Sequence, residues 1–492
     1  MEFVAREIDI GSRNPMVILN GEDAEELGVN PLDRVQIRHD DRTVIGIVEV
    51  TEELVPVGSL GVTRRLGHVQ GYVDVTVAPR PTAVHYIRKK LEDVELERDE
   101  IASIVREIHE NRLNDVELGA YVCGAYTNGL SMAETTALAE SMAEVGETLD
   151  WQAAVVGDKH SIGGVPGNRV TPVVVPIVAA ADVTIPKTSS RAVTSPAGTA
   201  DTMEVFCEVE FELAEIREIV EKTGGCMVWG GSVSLSPVDD KIIRVENPLS
   251  IDPPGQIIAS VLSKKKAAGS THVVIDLPYG EGAKIDDLSA ARELAEDFKR
   301  VGDHLGLELA CTITRGTQPI GRGIGPVLEA RDVLAVLDGA DPRELRLKSV
   351  RIANVLLELC GVEPTAAEIL DSGRALAKFR EIVAAQRGDP DVERADLVPG
   401  GEIHTVTADR EGVVVQVDNG LVSDVARRAG APRDRRAGIY LHRQVGEAVA
   451  RVDDLFTIHA EKASKLADAT ALVERTEPVR VRTGEEALVE RV

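Results

Sequence analysis

The spacing of apolar residues changes three times along this chain of 492 residues, and each change predicts a different kind of structure. Up to residue 85, short β-branched runs alternate with turn signals such as Asn20-Gly21, so we expect a β-rich N-terminal domain over 1–85. Apolar residues then follow helical spacing, as in the run from Ile101 to Ile108. This pattern predicts a helical lobe over 86–150, to which residues 238–268 return.

From residue 151 the pattern alternates between strands and helices. Val273–Asp276 and Leu309–Ile313 have the composition of buried strands, whereas Leu213–Lys222 is an amphipathic helix. Such alternation indicates a largely parallel sheet. We therefore expect a central mixed or parallel α/β domain. We predict that this domain covers 151–237 and 269–394. Strand-type alternation then returns and predicts a C-terminal α+β domain over 395–492. The fold class is multidomain α/β.

Two local features of the α/β part lead to further expectations. Ala153–Val156 has the pattern of a strand that ends at Gly157-Asp158, which would leave the polar residues that follow in a loop. A long helix over Pro254–Ala268 carries the run Lys264-Lys265-Lys266 near its end. Ammonium groups are favourable there, because the helix dipole is negative at its C-terminus.

The charge of the chain excludes some functions. With 55 basic and 82 acidic residues its net charge is −27, which argues against binding of nucleic acid or an anionic membrane. The acidic residues are spread along the chain, as in proteins of a salt-rich cytoplasm; an ordinary acidic enzyme is the alternative. A cytoplasmic location is expected, since Met1–Ile8 is charged and no apolar run approaches the ~20 residues of a membrane span.

No metal or cofactor site is expected from the spacing of potential ligands. The five cysteines are scattered without a CxxC pair, and the histidines show no HExxH spacing. Reduced cysteines buried as small apolar residues explain the first observation. We therefore expect a metal-free and cofactor-free protein.

Asp158–Asn168 is the first of three polar segments that could bind a ligand. Its glycines allow backbone N–H groups to approach an anion, while Lys159 adds a charge and Ser161 a hydroxyl donor. His160 adds a titratable group. No GK[ST] follows, so it is not a nucleotide-binding loop of the Walker type. A tight structural turn is the alternative interpretation.

Lys187–Glu204 is the second segment, with two cations and seven hydroxyl side chains. Arg191 could bind a phosphate with two parallel hydrogen bonds. A solvated loop is the alternative. The third group comprises Asp252, Ser260, Lys264 and Lys284. Ser260 and Lys264 are four residues apart and share a helix face, although such a pair by itself usually has no function.

These segments resemble the motifs of the thymidine and pyrimidine-nucleoside phosphorylase family. The similar pieces occur in the family's order and cover roughly residues 88–490. They are the early helical motif Gly129–Glu134, the phosphate loop Asp158–Val165, the signature from Ser189–Arg191 through Thr199–Glu204, and the base-binding helix segment Ser260–Lys265. The leader before residue 85 is similar to that of archaeal members that cleave nucleotides.

The resemblance implies a pentosyltransferase that splits the glycosidic bond of a nucleoside 5′-monophosphate, AMP above all, with inorganic phosphate. The implied products are adenine and ribose 1,5-bisphosphate, which feeds a nucleotide-salvage route to Rubisco; CMP and UMP are further substrates. Lys187 and Lys284 stand where apolar residues are expected in nucleoside enzymes, and extra cations suit a 5′-phosphate. A homo-oligomer, at least a dimer formed through the helical lobe, is also implied. A pyrimidine-nucleoside phosphorylase and a non-catalytic nucleotide-binding module remain as alternatives.

The resemblance also implies roles for individual residues. Asp252 is the proton donor to the departing base, and His160 is a second catalytic residue. Inorganic phosphate is bound by Lys159, Ser161, Ser189 and Thr199. The nucleotide is bound by Gly164, Ser190, Arg191, Ala192, Val193, Thr194, Ser195, Thr199, Ser260, Lys264 and Lys284.

Overall fold

The computed structural model describes residues 1–12, 14–192, 195–231, 233, 235–249 and 251–483. The chain forms two compact units. The first comprises Met1–Gly146 and Ser236–Ser263, and the second comprises Glu147–Leu235 and the chain from Lys264 onward. None of the helices in the described ranges is long and apolar enough to cross a lipid bilayer.

The first unit begins with a closed β-barrel. Its neighbouring strands follow the order β1-β5-β2-β4-β3-β6 and enclose a core that includes Leu19, Val35 and Leu60. The strands are β1 (Glu2–Glu7), β2 (Met16–Asn20), β3 (Arg34–His39), β4 (Arg42–Thr51), β5 (Ser59–Val62) and β6 (Gly71–Val77). A helix over Gly21–Leu27 follows β2, and a short 3₁₀ helix over Arg64–Leu66 precedes β6.

Helices make up the rest of the first unit. They are Ala83–Leu91, Arg98–His109, Asp115–Asn128, Met132–Glu144, Pro237–Leu249 and the first part of Pro254–Ala267. The helix Met132–Glu144 begins with a capping box of Ser131 and Glu134, as the Ser-x-x-Glu spacing in the sequence predicts. Glu134 N donates to Ser131 Oγ (3.1 Å), and Ser131 N donates to Glu134 Oε2 (2.8 Å). Two backbone N–H groups that lack helical partners are thereby satisfied.

The second unit begins with an α/β part built on parallel strands. They are β7 (Gly157–Ser161), β8 (Ile185–Ser189), β9 (Gly225–Trp229), β10 (His272–Tyr279) and β11 (Glu308–Arg315). The strands β11, β10 and β7 are neighbours in that order, and β8 pairs with β9. A parallel bridge between Val156 and Thr184 joins the two groups. The carboxyl ends of these strands therefore lie at one edge.

Helices pack around these strands and bury a core rich in valine, isoleucine and leucine. They are Thr171–Ala179, Thr199–Met203, Leu213–Thr223, Leu288–His304, Pro326–Leu337, Arg343–Leu359, Ala366–Asp371 and Arg374–Ala385. The predicted helix near Leu213 is confirmed, and it ends at Gly224, whose φ of 78° is typical of a helix C-terminus.

The C-terminal part of this unit is α+β. Its antiparallel sheets have the strand orders β12-β15-β17-β13 and β16-β14-β18. The strands are β12 (Gly323–Ile324), β13 (Glu402–Thr407), β14 (Gly412–Val417), β15 (Gly438–Leu441), β16 (Ala448–Val449), β17 (Asp454–Ala460) and β18 (Val479–Arg482). Helices Asn419–Ala429 and Ala463–Val473 pack against them.

The strand predicted over Ala153–Val156 is wrong in position. The strand is β7, which begins at Gly157 and pairs in parallel with β10 from Gly157–His272 to Ser161–Asp276. Asp158–Ser161 thus lie on a strand rather than in a loop, and the loop begins only after Ser161. Hydrophobic patterning misses this strand because Asp158 and Lys159 are buried while charged.

Candidate active site

Polar residues gather at the carboxyl edge of the parallel strands. Ser161 ends β7, Ser189 ends β8, and the loop Gly280–Lys284 leaves β10 at the same edge. Ligands in open α/β sheets bind outside the carboxyl ends of the strands. The structure therefore places parts of all three predicted segments at an edge suited to binding.

Strand β7 carries charged side chains on both of its faces. Because side chains alternate along a strand, Asp158 and His160 point to one face, and Lys159 and Ser161 point to the other. Both Asp158 and Lys159 are buried, with exposed fractions of 0% and 1%. Each face therefore needs its own set of polar partners.

On the first face, Asp158 lies among cations. Its Oδ2 accepts hydrogen bonds from Lys265 Nζ (2.8 Å) and Ser270 Oγ (3.1 Å), and Lys187 Nζ lies 3.7 Å from its Oδ1. Burial raises the pKa of Asp158, but the Lys265 and Lys187 ammonium groups outweigh it and keep the pKa below its usual value. Burial, aided by repulsion from Lys265, lowers the pKa of Lys187 to about 7.

The lysine run at the end of the helix Pro254–Ala267 does more than interact with the helix dipole. Lys265 is 2% exposed and forms a buried ion pair with Asp158, which the dipole explanation did not include. Lys266 is exposed and donates to the backbone oxygen of Leu305 (2.8 Å). The ion pair of Lys265 with Asp158 is therefore a role that the dipole expectation does not account for.

On the second face, Asp276 of β10 organises the polar groups. It forms an ion pair with Lys348 (2.8 Å) and accepts hydrogen bonds from Ser161 Oγ (2.8 Å) and Thr314 Oγ1 (2.7 Å). Burial raises the pKa of Asp276, yet the Lys348 and Lys159 ammonium groups bring it below its usual value. Ser161 thus directs its hydroxyl hydrogen to Asp276 in this structure.

Lys159 is a buried cation without a carboxylate partner. Its Nζ donates to Thr171 Oγ1 (3.3 Å), and no carboxylate of the described residues lies within ion-pair distance. Burial lowers its pKa well below the usual value; the Asp276 carboxylate opposes this shift, while Lys348 and other nearby cations add to it. Burying an ammonium is costly unless an anion compensates it, so this site favours an incoming anion.

His160 is half-buried beside the cations of the first face. Burial and repulsion from Lys265, Lys187 and Lys159 lower its pKa well below the usual value. The imidazole is therefore neutral at neutral pH. It can donate one hydrogen bond and accept another, but it does not carry a proton available for general acid catalysis.

Arg191, in the hydroxyl-rich segment, is surrounded by carboxylates. Its guanidinium donates to Glu204 (2.8 and 3.0 Å), Glu210 (2.8 Å) and Asp201 (3.4 Å), and it lies 4.9 Å from the centre of the Trp229 ring. These hydrogen bonds raise the pKa of Arg191 further above its usual value. The predicted two-pronged contact with a phosphate would have to replace existing carboxylate contacts.

Asp201, in the helix Thr199–Met203, holds backbone groups from two described stretches of this segment. Asp201 Oδ2 accepts hydrogen bonds from Ala192 N (2.6 Å) and Gly198 N (2.7 Å), and Ser190 O accepts one from Ala200 N (3.2 Å). A Cβ at Gly198 would lie 2.5 Å from Ser190 O, so only glycine fits.

Three hydroxyl groups of this segment contact the backbone or Arg169, while Thr202 Oγ1 donates to Gly198 O (3.1 Å) and Glu329 Oε2 (3.1 Å). Ser189 Oγ donates to Val228 O (3.2 Å), Ser195 Oγ donates to Ala197 O (2.7 Å), and Thr199 Oγ1 accepts from Arg169 Nη1 (3.4 Å). The predicted nucleotide ligands Val193 and Thr194 lie outside the described residues.

Sequence reasoning missed Arg169. It is 8% exposed, forms an ion pair with Glu329, and donates to Ala197 O and Thr199 Oγ1. It therefore links the end of the first polar segment to the hydroxyl-rich turn. Its one signal in the sequence is a charged residue between a glycine-rich loop and a helix that is apolar after Thr171.

The structure brings Gly164 and Lys284 into contact. Gly164 has a φ of 102°, and a Cβ there would lie 2.8 Å from Lys284 N and 3.2 Å from Lys284 Cγ. The glycine-rich loop and the loop after β10 thus pack together, with the Lys284 side chain exposed. Lys264 is half-buried on the helix Pro254–Ala267, and its charge contributes to the low pKa of His160.

Asp252 and Ser260 belong to the first unit. Asp252 is exposed and precedes the helix Pro254–Ala267, while Ser260 is half-buried on that helix. Ser260 O accepts a hydrogen bond from Ser263 Oγ (3.2 Å). The predicted four-residue spacing of Ser260 and Lys264 on one continuous helix is confirmed.

Comparison with known families identifies the class of protein. Residues 84–146 match the helical bundle domain of a glycosyl transferase family, and residues 152–333 match the a/b domain of that family. Residues 413–479 match the pyrimidine nucleoside phosphorylase C-terminal domain. The chain is thus a glycosyl transferase enzyme with a pyrimidine nucleoside phosphorylase C-terminal domain.

Full-length relatives narrow this class. The chain is 59% identical to the AMP phosphorylase of Natronomonas pharaonis, with 100% of both chains covered. It is 46% identical to AMP phosphorylase 1 of Archaeoglobus fulgidus (97% of both chains) and 45% identical to the AMP phosphorylase of Thermococcus kodakarensis (98% of both chains). The chain belongs to the AMP phosphorylase family.

A solved structure supports the fold alone. Anthranilate phosphoribosyltransferase from Thermus thermophilus superposes with a TM-score of 0.53 at 18% identity, covering 61% of this chain and 99% of that chain. The multidomain α/β class predicted from the sequence is confirmed by this likeness and by the matched domains.

Proposed function

We propose that the chain cleaves AMP with inorganic phosphate and releases adenine and ribose 1,5-bisphosphate. The observation that carries this proposal is Lys159, a buried ammonium with no carboxylate within ion-pair distance among the described residues, next to the carboxyl edge of the strands. The names of the full-length relatives support AMP as the nucleotide. CMP and UMP are proposed as further substrates.

Phosphate is the nucleophile in this proposal. Lys159 provides the charge that holds it, and Ser161, Ser189 and Thr199 provide hydroxyl groups. Entry of a phosphate dianion would compensate the buried ammonium and so favour its protonated state. Ser161 would then share its hydroxyl hydrogen between Asp276 and the phosphate, because a hydroxyl has a single hydrogen to donate.

The base departs as positive charge develops at the C1′ atom of the ribose, as in glycoside cleavage. Adenine is a poor leaving group as an anion, so Asp252 donates a proton to it. Ser260 and Lys264, one helical turn apart, bind the base. Neutral His160 contributes a hydrogen bond rather than a proton, because its pKa is far below neutrality.

The 5′-phosphate is assigned to Lys284. This residue is exposed at the carboxyl edge and lies against Gly164. A 5′-phosphate at Arg191 would have to displace carboxylates from its guanidinium. Ser190, Ala192 and Ser195 bind the nucleotide beside the backbone groups of Ala192 and Gly198 that Asp201 holds. The reaction needs no metal or cofactor, and its sugar product would feed a salvage route to Rubisco in the cytoplasm.

The protein is proposed to act as at least a dimer formed through the helical lobe. Val116 and Tyr126, on the helix Asp115–Asn128, have 66% and 56% of their surfaces exposed, and Leu91 is 48% exposed. Exposed apolar surface of this kind favours association. Light scattering that gives the mass of a single chain at high salt would contradict the dimer.

One experiment tests the activity directly. The purified protein is incubated with AMP, with and without phosphate, and both adenine release and the sugar product are identified. Phosphate-dependent formation of a sugar bisphosphate is expected. Preference for uridine or thymidine over AMP would favour a pyrimidine-nucleoside phosphorylase. Absence of base release from every substrate would favour a binding module.

A further inference from the structure

We infer that Asn419, in the C-terminal part of the chain, is a positioning residue that holds the loop Gly280–Lys284 and so determines where Lys284 lies. The inference rests on the proposed function, because the role of Lys284 at the 5′-phosphate gives the contact its consequence. Asn419 does not touch the nucleotide in this proposal. It acts through the backbone of two neighbouring turns.

The first contact fixes the turn after β11. Asn419 is 3% exposed, and its Nδ2 donates to Gly316 O (2.7 Å). Gly316 N in turn donates to Tyr279 O (2.8 Å), at the end of β10. Asn419 is therefore connected by two hydrogen bonds to the point where the Lys284 loop leaves the sheet.

The second contact is with the loop itself. Gly282 has a φ of 78°, and a Cβ there would lie 3.1 Å from Asn419 Cβ and 3.3 Å from Asn419 Nδ2. Gln416 Nε2 also donates to Glu281 Oε1 (3.2 Å) from the same C-terminal part. The loop thus contacts Asn419 so closely that a residue larger than glycine does not fit at position 282.

On its other side, the loop packs against the glycine-rich segment. A Cβ at Gly164 would lie 2.8 Å from Lys284 N, so the two backbones are in close contact. Within the loop, Gly280 N donates to Ile285 O and Ala283 N donates to Gly280 O, both at 2.9 Å. Because the loop is closed and confined on both sides, a shift at Asn419 must move Lys284 against Gly164.

The amide of Asn419 is only half satisfied. Its Oδ1 is buried and accepts no hydrogen bond from any of the described residues. An unsatisfied buried acceptor lowers stability, so a smaller residue without that acceptor would suit packing alone better. The asparagine is explained by its donor, which reaches Gly316 O.

The test replaces the amide donor of Asn419 and keeps the shape of its side chain. Asn419→Asp places a carboxylate oxygen against the Gly316 carbonyl, and the two acceptors repel each other. The KM for AMP is expected to rise about tenfold, because a displaced Lys284 loses one charge-assisted contact with the 5′-phosphate. The kcat and the KM for phosphate should change less than about twofold. Thermal unfolding confirms that the variant is folded.

Asp418→Ala is the matched control on the same helix. Asp418 Oδ1 caps the helix Asn419–Ala429 by accepting from Leu421 N (2.9 Å), a contact within the helix rather than with the loop. This variant should lower the melting temperature while the KM for AMP stays unchanged. A second variant, Gln416→Ala, removes the more exposed contact to Glu281 and should raise the KM for AMP in the same direction by a smaller factor.

Lys284→Met separates the inference from the proposed function. That variant should raise the KM for AMP strongly, and adding Asn419→Asp to it should cause no further rise, since both act on the same contact. An equal rise in both backgrounds, or none in Asn419→Asp alone, overturns the positioning role. If Lys284→Met leaves AMP cleavage unchanged, both the assignment of the 5′-phosphate and the inference are wrong.

Discussion

Lys159 and Arg191 are cations in two polar segments of the same α/β part, and their surroundings are opposite. Lys159 is buried and donates to the hydroxyl of Thr171, whereas Arg191 is half-buried and contacts three carboxylates. Both were predicted to bind a phosphate group. The comparison teaches that a cation in a motif is available to a ligand only if the rest of the chain supplies no anion for it.

The largest expected effect is on Lys159. Lys159→Met should raise the KM for phosphate and lower kcat/KM by about ten- to a hundredfold, because a charge-assisted contact contributes about 1.5–3 kcal/mol. Initial rates at varied phosphate, with AMP saturating, measure this. Unchanged phosphate kinetics in a folded variant would show that the anion binds elsewhere and would end the contrast with Arg191.

Arg191→Ala should mainly affect stability. Removing the guanidinium leaves Glu204 and Glu210 close together, but both are partly exposed, so the loss should stay below about 2 kcal/mol. The KM for phosphate should change less than about threefold. A larger effect on phosphate than that of the Lys159 variant would reverse the comparison.

A pH series tests the buried cluster of Asp158, Lys187 and Lys265. The pKa of Lys187 is about 7 in the folded chain, against 10.5 as its ordinary value, so between these values the unfolded chain binds more protons. Stability therefore gains a contribution as pH rises from about 7 to 10.5. Lys187→Met should lose that contribution, which melting curves across this range would detect. Parallel pH profiles for the two proteins would contradict it.

The smallest expected effects are those of salt on the melting temperature. For the whole chain, the melting temperature should rise from low to molar KCl, because the repulsion of a net charge of −27 is screened. The destabilisation caused by Arg191→Ala should shrink at high salt. The fall in kcat/KM caused by Lys159→Met should persist, since buried charges are screened less. A flat melting temperature would remove the case for salt adaptation.

Local sequence patterns predicted those elements whose determinants are close in the chain. The capping box at Ser131 and the end of the helix at Gly224 depend on residues within one turn, and both form where the Ser-x-x-Glu spacing and the glycine favour them. The start of β7 depends on partners far along the chain: Asp158 is satisfied by Lys265 and Ser270, more than a hundred residues away. No local pattern contains that information.

The candidate site shows the same limit. Resemblance to a family supplied the site residues, but not what each cation contacts. The link between Arg169 and Glu329 spans 160 residues and is absent from every motif used. The contact of Asn419 with the Lys284 loop likewise joins distant segments. Such pairings exist only in the folded chain.

The alternation of charge along β7 also has a consequence for folding. If β7 slipped by one residue against β10, its two faces would be exchanged. Lys159 would then meet the ammonium groups of Lys187 and Lys265, and Asp158 would meet the carboxylate of Asp276. Misaligned pairings would bring like charges together in a buried setting. The side chains that form the site therefore also disfavour misaligned pairing of β7 and β10 while the chain folds.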